Sequence, residues 1–442
     1  MKKLLNFSLA IIAVAFVACS YEDVALSTNE SPSNPYEVTP DEAVQLLQTV
    51  MGGESTRAIS VGSIQTLRKS DFVPSTRGAE DGDVVYIVDL ENGGSAIMGA
   101  DKRMEPIYAI LDETKISPEQ LTLTATRSDD GEQDIEEYVM GLVNDKITYD
   151  MSEMIPIVRD SLLPEMPMIP RPHEVTMTTM LGSKYPMLRT KWHQRSPYND
   201  NYPRGEGPYF EDGVMLAGCG PIAVAQVLYF LRTPNSWSGV SNYFNWDLIS
   251  ECEYQGEFSD NACSEVAKFV SQISGKICRE KWHSEQYVNP GVEPENLIYD
   301  LEDFGLEVDS LGEYNFDLIK TLLNDDLPVI TRGEFYNQYT GTFKHMWVID
   351  GYKSHRESTY LREYFGEGPR DYTDTFISST DYNLVHCNYG WNGDCDGYYS
   401  SGVFDVRTRL EDDMIIDEVG DVASSKLYNF EIDLKYIHYS YE

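Results

Sequence analysis

Apolar and polar positions fall into two textures along the chain. Residues 20–40 are rich in Ser, Asn, Pro and Glu and read as a tether. Thr39-Pro40-Asp41-Glu42 is a helix start, and Ala43, Val44, Leu46, Leu47 and Val50 behind it predict an amphipathic helix. Residues 54–80 are polar and predict no regular element. Val84 to Val88 predicts a strand, Glu91-Asn92-Gly93-Gly94 a turn, and Ser95 to Gly99 the partner strand. Pro106 to Leu111 continues the sheet. A stripe of Ile135, Val139, Leu142 and Val143 predicts a second helix over Gln133–Lys146. These elements make a small α+β domain with no catalytic cluster.

Prolines from Pro164 to Pro172 without periodicity predict a linker. From Trp192 onward the chain is aromatic and Gly-rich, and a second domain is expected over 185–442. Its clearest element is Leu216 to Leu231. Pro221 is tolerated only in a helix's first turn, so the helix starts beside Cys219. Apolar residues run all round it, the pattern of a buried central helix.

Length and charge narrow the function. A chain of 442 residues exceeds one compact core and predicts two domains. Acidic residues number 73 against 34 basic, a net charge of −39. Such a surface repels phosphate, which argues against nucleic acid and anionic membranes as partners.

The first residues read as an export signal. Met1-Lys2-Lys3 is positive, Leu9 to Ala18 is apolar, and the run ends in Phe16-Val17-Ala18-Cys19. It is too short for a transmembrane helix, and no other stretch spans a bilayer. The ending resembles a bacterial lipobox, with Phe16 where Leu is usual. The resemblance implies a signal over 1–19, lipid on Cys19, a tether over 20–37, and anchoring at the outer membrane or cell surface, from which the mature enzyme could be released; the alternative is an ordinary signal that is cleaved and frees the protein. The six remaining cysteines are Cys219, Cys252, Cys263, Cys278, Cys387 and Cys395. Export permits disulfides, and Cys387/Cys395 or Cys252/Cys263 are placed to pair locally.

Three segments carry candidate chemistry. Cys219, flanked by Gly218 and Gly220, sits at a helix N-terminus, where peptide dipoles favour the thiolate. His345 lies at the start of the apolar strand His345-Met346-Trp347-Val348-Ile349-Asp350-Gly351, a position for a base facing a cleft. Asn388-Tyr389-Gly390-Trp391 follows, an amide with aromatic and Gly residues. No zinc spacing, P-loop or dinucleotide fingerprint occurs, so no metal or cofactor is expected.

Together with Gln194-Arg195-Ser196-Pro197-Tyr198-Asn199, these segments resemble, in order, the motifs of the streptopain family of secreted bacterial cysteine peptidases. The resemblance covers roughly 192–400. It implies a two-lobed papain-like catalytic domain, a helical lobe plus an antiparallel sheet lobe, over 185–442. Ahead of it, a small α+β propeptide domain over 38–180 is implied as intramolecular inhibitor. Cys219 would be the nucleophile, His345 the acid/base, and Gln194 the oxyanion donor with the Cys219 N–H. Asn388, Tyr389 and Trp391 would frame the imidazole, with Tyr389 standing where the family has Trp. Protein or peptide substrates are implied. The polar stretch Lys353 to Asp381 is an insertion relative to the family that starts next to the cleft. Of the two readings, a gate over the cleft or a surface protrusion, the second is favoured because long surface insertions cost little. Two other functions fit the same fold: a Cys-His amidase or acyltransferase, and a non-enzymatic surface binding protein.

Overall fold

The computed structural model describes residues 36–52, 60–73, 81–91, 93–122, 135–154, 172–207, 209–254, 256–278, 292, 294–337, 341–365, 371–404 and 432–440. The signal with Cys19, the tether up to residue 35 and the proline segment 164–171 lie outside them.

In the N-terminal part, α1 (Pro40–Met51) starts where expected: the Thr39 side chain accepts from the Glu42 N–H, and Glu42 reaches back to the Thr39 N–H. There follow β1 (Val61–Arg68), α2 (Lys69–Phe72), β2 (Asp83–Leu90), β3 (Ser95–Gly99), β4 (Ile107–Leu111), α3 (Pro118–Leu121), α4 (Ile135–Glu153) and β5 (His173–Lys184). β1 falls in the segment expected to be irregular. It is an edge strand with mostly exposed side chains, so it shows no apolar alternation, and pairing with β2 holds it in place.

The rest comprises β6 (Phe210–Glu211), β7 (Val214–Met215), α5 (Cys219–Leu231), β8 (Ser236–Trp237), β9 (Val240–Ser241), α6 (Trp246–Ser250), α7 (Asp260–Ile277), α8 (Pro294–Glu302), β10 (Glu307–Glu313) and α9 (Phe316–Asn324). It closes with β11 (Val329–Asn337), β12 (Gly341–Tyr364), β13 (Tyr372–Asn388), β14 (Gly397–Ser400), α10 (Ser401–Phe404) and β15 (Ile432–Ser440).

An 11-stranded antiparallel sheet runs β1-β2-β3-β4-β14-β13-β12-β11-β15-β10, with β5 paired to β12. The expected α+β class and antiparallel sheet are present. One face of the sheet carries a helical layer in which α5 is buried from Gly220 to Tyr229, packed with α7 and α8 residues such as Phe269 and Leu301. The other face carries a core that mixes α4 with β12 and β13. Residues 36–442 thus form one compact unit, and the sheet crosses the boundary expected near residue 180 through the pairs Leu111↔Gly397, Ile110↔Tyr398 and Ala109↔Tyr399.

The insertion from Lys353 to Asp381 is a long hairpin of β12 and β13, widened by β5 along Tyr352↔Lys184 to Arg362↔His173. Its outer part exposes both faces, with Phe376 and Ile377 open to solvent. No described helix is long and apolar enough to cross a membrane.

Candidate active site

Cys219 opens α5, and the glycine before it has φ +87°, a conformation that disfavours any residue bearing Cβ. Gly220 serves a different need. A Cβ there would lie 2.9 Å from Val292 Cγ2 and 3.2 Å from Met346 Sδ, so its absence lets β12 close onto the helix start. Cys219 keeps some exposed surface, yet its thiol is enclosed. Burial pushes the thiol pKa up, against the pull of the Met346, Gly220 and Cys219 backbone groups. This reverses the expectation of a lowered thiol pKa: in the full chain, desolvation outweighs the helix N-terminus.

His345 is buried on β12 opposite Gly333. Its Nε2 lies 2.9 Å from the Tyr389 carbonyl oxygen. A carbonyl only accepts, so Nε2 carries the proton and Nδ1 holds the lone pair of the neutral ring. Burial pulls the imidazole pKa down to about 4, with the Tyr389 bond opposing. Four rings enclose it, at centroid distances of 6.3 Å (Tyr138), 6.3 Å (Trp347), 5.9 Å (Tyr389) and 6.0 Å (Trp391). Three belong to the expected catalytic domain. Tyr138 comes from α4.

In the Asn388–Trp391 loop the Tyr389 and Trp391 rings lie against His345, and the Asn388 side chain bonds main-chain groups. Asn388 was expected to frame the base. Its Nδ2 donates to the Thr190 carbonyl at 2.7 Å and its Oδ1 accepts from the Gly390 N–H at 3.1 Å. The amide therefore works through the Tyr389–Gly390 peptide, whose carbonyl accepts the hydrogen bond from His345 Nε2–H. Because the orienting group is main chain, a Tyr side chain in place of Trp leaves it intact. Gly390 has φ +64°, and a Cβ there would sit 2.7 Å from Ile222 Cγ2. The loop so packs directly on the helix that begins at Cys219. Trp391 stands between His345 and His193, 5.6 Å from the latter ring.

Gln194 is buried, and its carbonyl accepts from the Ala217 N–H at 2.8 Å, two residues before Cys219. Asn199 Nδ2 donates to the Met215 carbonyl at 3.0 Å, and Trp192 Nε1 donates to the Cys252 carbonyl at 2.8 Å. The Gln194 segment is thereby fastened to the stretch that leads into α5.

Several contributors were not foreseen. Asp396 Oδ1 accepts from the Tyr389 N–H at 2.8 Å. Burial raises the Asp396 pKa to about 8, although the Tyr389 N–H and His386 oppose it. His386 lies between Asp350, 2.6 Å from Nδ1, and Asp112, 3.2 Å from Nε2. Burial lowers the His386 pKa, but the two carboxylates outweigh it and hold it well above the usual value. Asp112, just after β4, thus joins an ion cluster inside the expected catalytic domain. Nearby, Lys191 Nζ meets Glu113 at 2.5 Å and the Cys395 N–H donates to Thr114 Oγ1 at 2.8 Å. An Asp-Gly pair at Asp396-Gly397 is a turn signal in the sequence. Nothing local marks Tyr138 or Asp112, whose partners lie hundreds of residues away.

None of the six described cysteines is in a disulfide, so the local pairs anticipated for Cys252/Cys263 and Cys387/Cys395 are not formed. Among the described residues no His, Cys, Asp and Glu group is placed to hold a metal ion.

The profile of the Peptidase C10 family matches residues 192–399. No curated protein matches the chain. Among solved structures, a fragment of Prevotella intermedia prointerpain A carrying a cysteine-to-alanine substitution is 18% identical, with 86% of this chain and 99% of that chain covered and a TM-score of 0.46. The active wild-type interpain A cysteine protease of Prevotella intermedia is 19% identical, covering 60% and 97% respectively, with a TM-score of 0.38.

Proposed function

Through residues 192–399 the chain belongs to the Peptidase C10 family, the streptopain family of cysteine peptidases, and on that premise we propose that it hydrolyses protein substrates with Cys219 and His345 and is made as a zymogen. The observation that carries the mechanism is the His345 Nε2 bond to the Tyr389 carbonyl, because it leaves the Nδ1 lone pair as the site that takes the thiol proton. Once Nδ1 accepts that proton, the Cys219 sulfur attacks the scissile carbonyl carbon. The Gln194 amide and the Cys219 N–H stabilise the resulting oxyanion. The intermediate collapses as His345 returns the proton to the departing amine. Water, deprotonated by His345, then cleaves the thioester and frees the thiol.

Peptide hydrolysis by Cys219→Ala and His345→Ala should fall to background, because nucleophile and base act as a unit. Gln194→Ala should retain a residual rate, lower by roughly 10²–10³ in kcat with little change in KM. Wild-type hydrolysis by a Cys219→Ala preparation free of contaminating peptidase overturns the reading.

The N-terminal segment supports the zymogen reading at three points: Tyr138 against His345, β4 against β14, and Asp112 against His386. With thiol and imidazole both neutral, the nucleophile is held in its less reactive form. We further propose export and lipid anchoring through Cys19, resting on the apolar run that ends there. Cys19→Ser should abolish metabolic lipid labelling and release the protein from membranes. Equal labelling of the two proteins counts against it.

A further inference from the structure

The main chain from Asn388 to Gly397 leaves β13 and returns as β14 without a ladder of its own. Gly390, Asn392, Gly393 and Cys395 all take positive φ along it. In a loop of that kind the turn's own main-chain bonds and the side chains that tie it down together hold an atom in place. Its hydrogen bond to the base is made by the Tyr389 carbonyl oxygen, 2.9 Å from His345 Nε2.

Residue 389 is tied on both sides. After it, the Gly390 N–H is held by Asn388 Oδ1. Before it, the Tyr389 N–H is held by Asp396 Oδ1 at 2.8 Å, across the turn. Asp396 is itself buried and seated by the turn, its N–H donating to the Gly393 carbonyl at 3.2 Å and its carbonyl accepting from the Asp112 N–H at 3.0 Å. The Tyr389 ring lies in the core with Trp347 and Tyr399. Rotation of the Tyr389 backbone would swing the carbonyl away from Nε2, and the Asp396 bond opposes that rotation.

We propose that Asp396 is a positioning residue for the peptidase reaction: through the Tyr389 N–H it fixes the carbonyl that orients the His345 imidazole. This rests on His345 being the base. Asp396 touches no reacting atom, so its removal should loosen the base and leave substrate binding alone. A loop anchor with no bearing on catalysis would instead affect stability only.

The test uses the full-length chain with Asp396→Ala and Asp396→Asn, the latter keeping an oxygen where Oδ1 lies. In proton NMR of the folded chains, the His345 Nε2–H signal should persist in wild type and Asp396→Asn and be lost to exchange in Asp396→Ala. Maturation is then completed with a trace of wild-type enzyme. Asp396→Ala should lower kcat about tenfold to a hundredfold with KM within about twofold, the scale of a misplaced catalytic group. Asp396→Asn should stay within about threefold of wild type. If Asp396→Ala folds and matures with kcat unchanged while His345→Ala is inactive, this proposal fails and the peptidase reading stands. If His345→Ala is itself active, the peptidase reading fails first. Should Asp396→Ala not fold, Asp396→Asn decides: retention of signal and rate supports the positioning oxygen, and a folded Asn variant with lost kcat overturns it.

Discussion

Tyr138 shows how one side chain can set the chemistry of another. Its ring covers His345, and its hydroxyl comes close enough to Gly333 that a Cβ there would lie 2.5 Å away. Burial, to which this cover contributes along with Trp347, Tyr389 and Trp391, lowers the imidazole pKa to about 4. Truncation to Tyr138→Ala should let water reach the ring, and the pKa should rise toward the usual value of about 6.5. The sign for stability follows. A depressed His345 stabilises the closed chain relative to the unfolded one above pH 6.5, and that contribution, on the order of 3 kcal/mol, is lost as pH falls through about 4. The variant should therefore show a flatter acid limb in its melting temperature, a higher His345 pKa by NMR, and measurable peptide hydrolysis before any chain cleavage. An unchanged pKa and a fully latent variant would remove Tyr138 from the inhibitory contact. Cys219 and His345 were legible in the sequence because each is written into a local motif. Tyr138 was not, since it lies among Ile135, Val139 and Leu142 on a stripe that reads as ordinary helix core.

Among the elements, β5 changes where the zymogen should be cut. The proline segment Pro164 to Pro172 and the basic residues Arg171, Lys184, Arg189 and Lys191 at its end and beyond point, as sequence, to a cut between that segment and Trp192. In the structure, His173–Lys184 is a strand of the insertion ribbon, and Lys184 pairs with Asp326. Gly351 bulges against it so closely that a Cβ would lie 2.9 Å from the Lys184 carbonyl oxygen. Beyond the strand, the Met187 and Leu188 N–H groups both donate to Asp350. A cut after β5 would strip a strand from β12, whereas one ahead of His173 leaves the ribbon whole. Mass spectrometry of the matured enzyme should find an N-terminus at or before His173. A stable, active product beginning after Lys184 would refute this. The helices α1, α4 and α5 and the strands β2 to β4 were legible because burial on one side leaves a period in the sequence and burial all round leaves a continuous apolar run. β1, β5 and the outer ribbon expose most side chains, so backbone pairing alone defines them and no period appears.

For the molecule as a whole, the two textures of the sequence do not correspond to two separate cores. One apolar cluster joins Val85, Tyr108 and Leu142 to Trp347, Val385 and Tyr399. A second joins Ala43 and Leu47 of α1 to Leu384 and Tyr398. Composition marks where the texture changes, but pairing between Leu111 and Gly397 spans too much chain for any local pattern to disclose it. The shared sheet has a consequence for time and dilution. While one chain links the two parts, β4 meets β14 at an effective concentration in the millimolar range. A single cut leaves every contact at that seam in place, but a segment that departs must then find its site again from dilute solution. Outside a cell, where a released segment diffuses away, latency held by this seam would be a state the molecule occupies once.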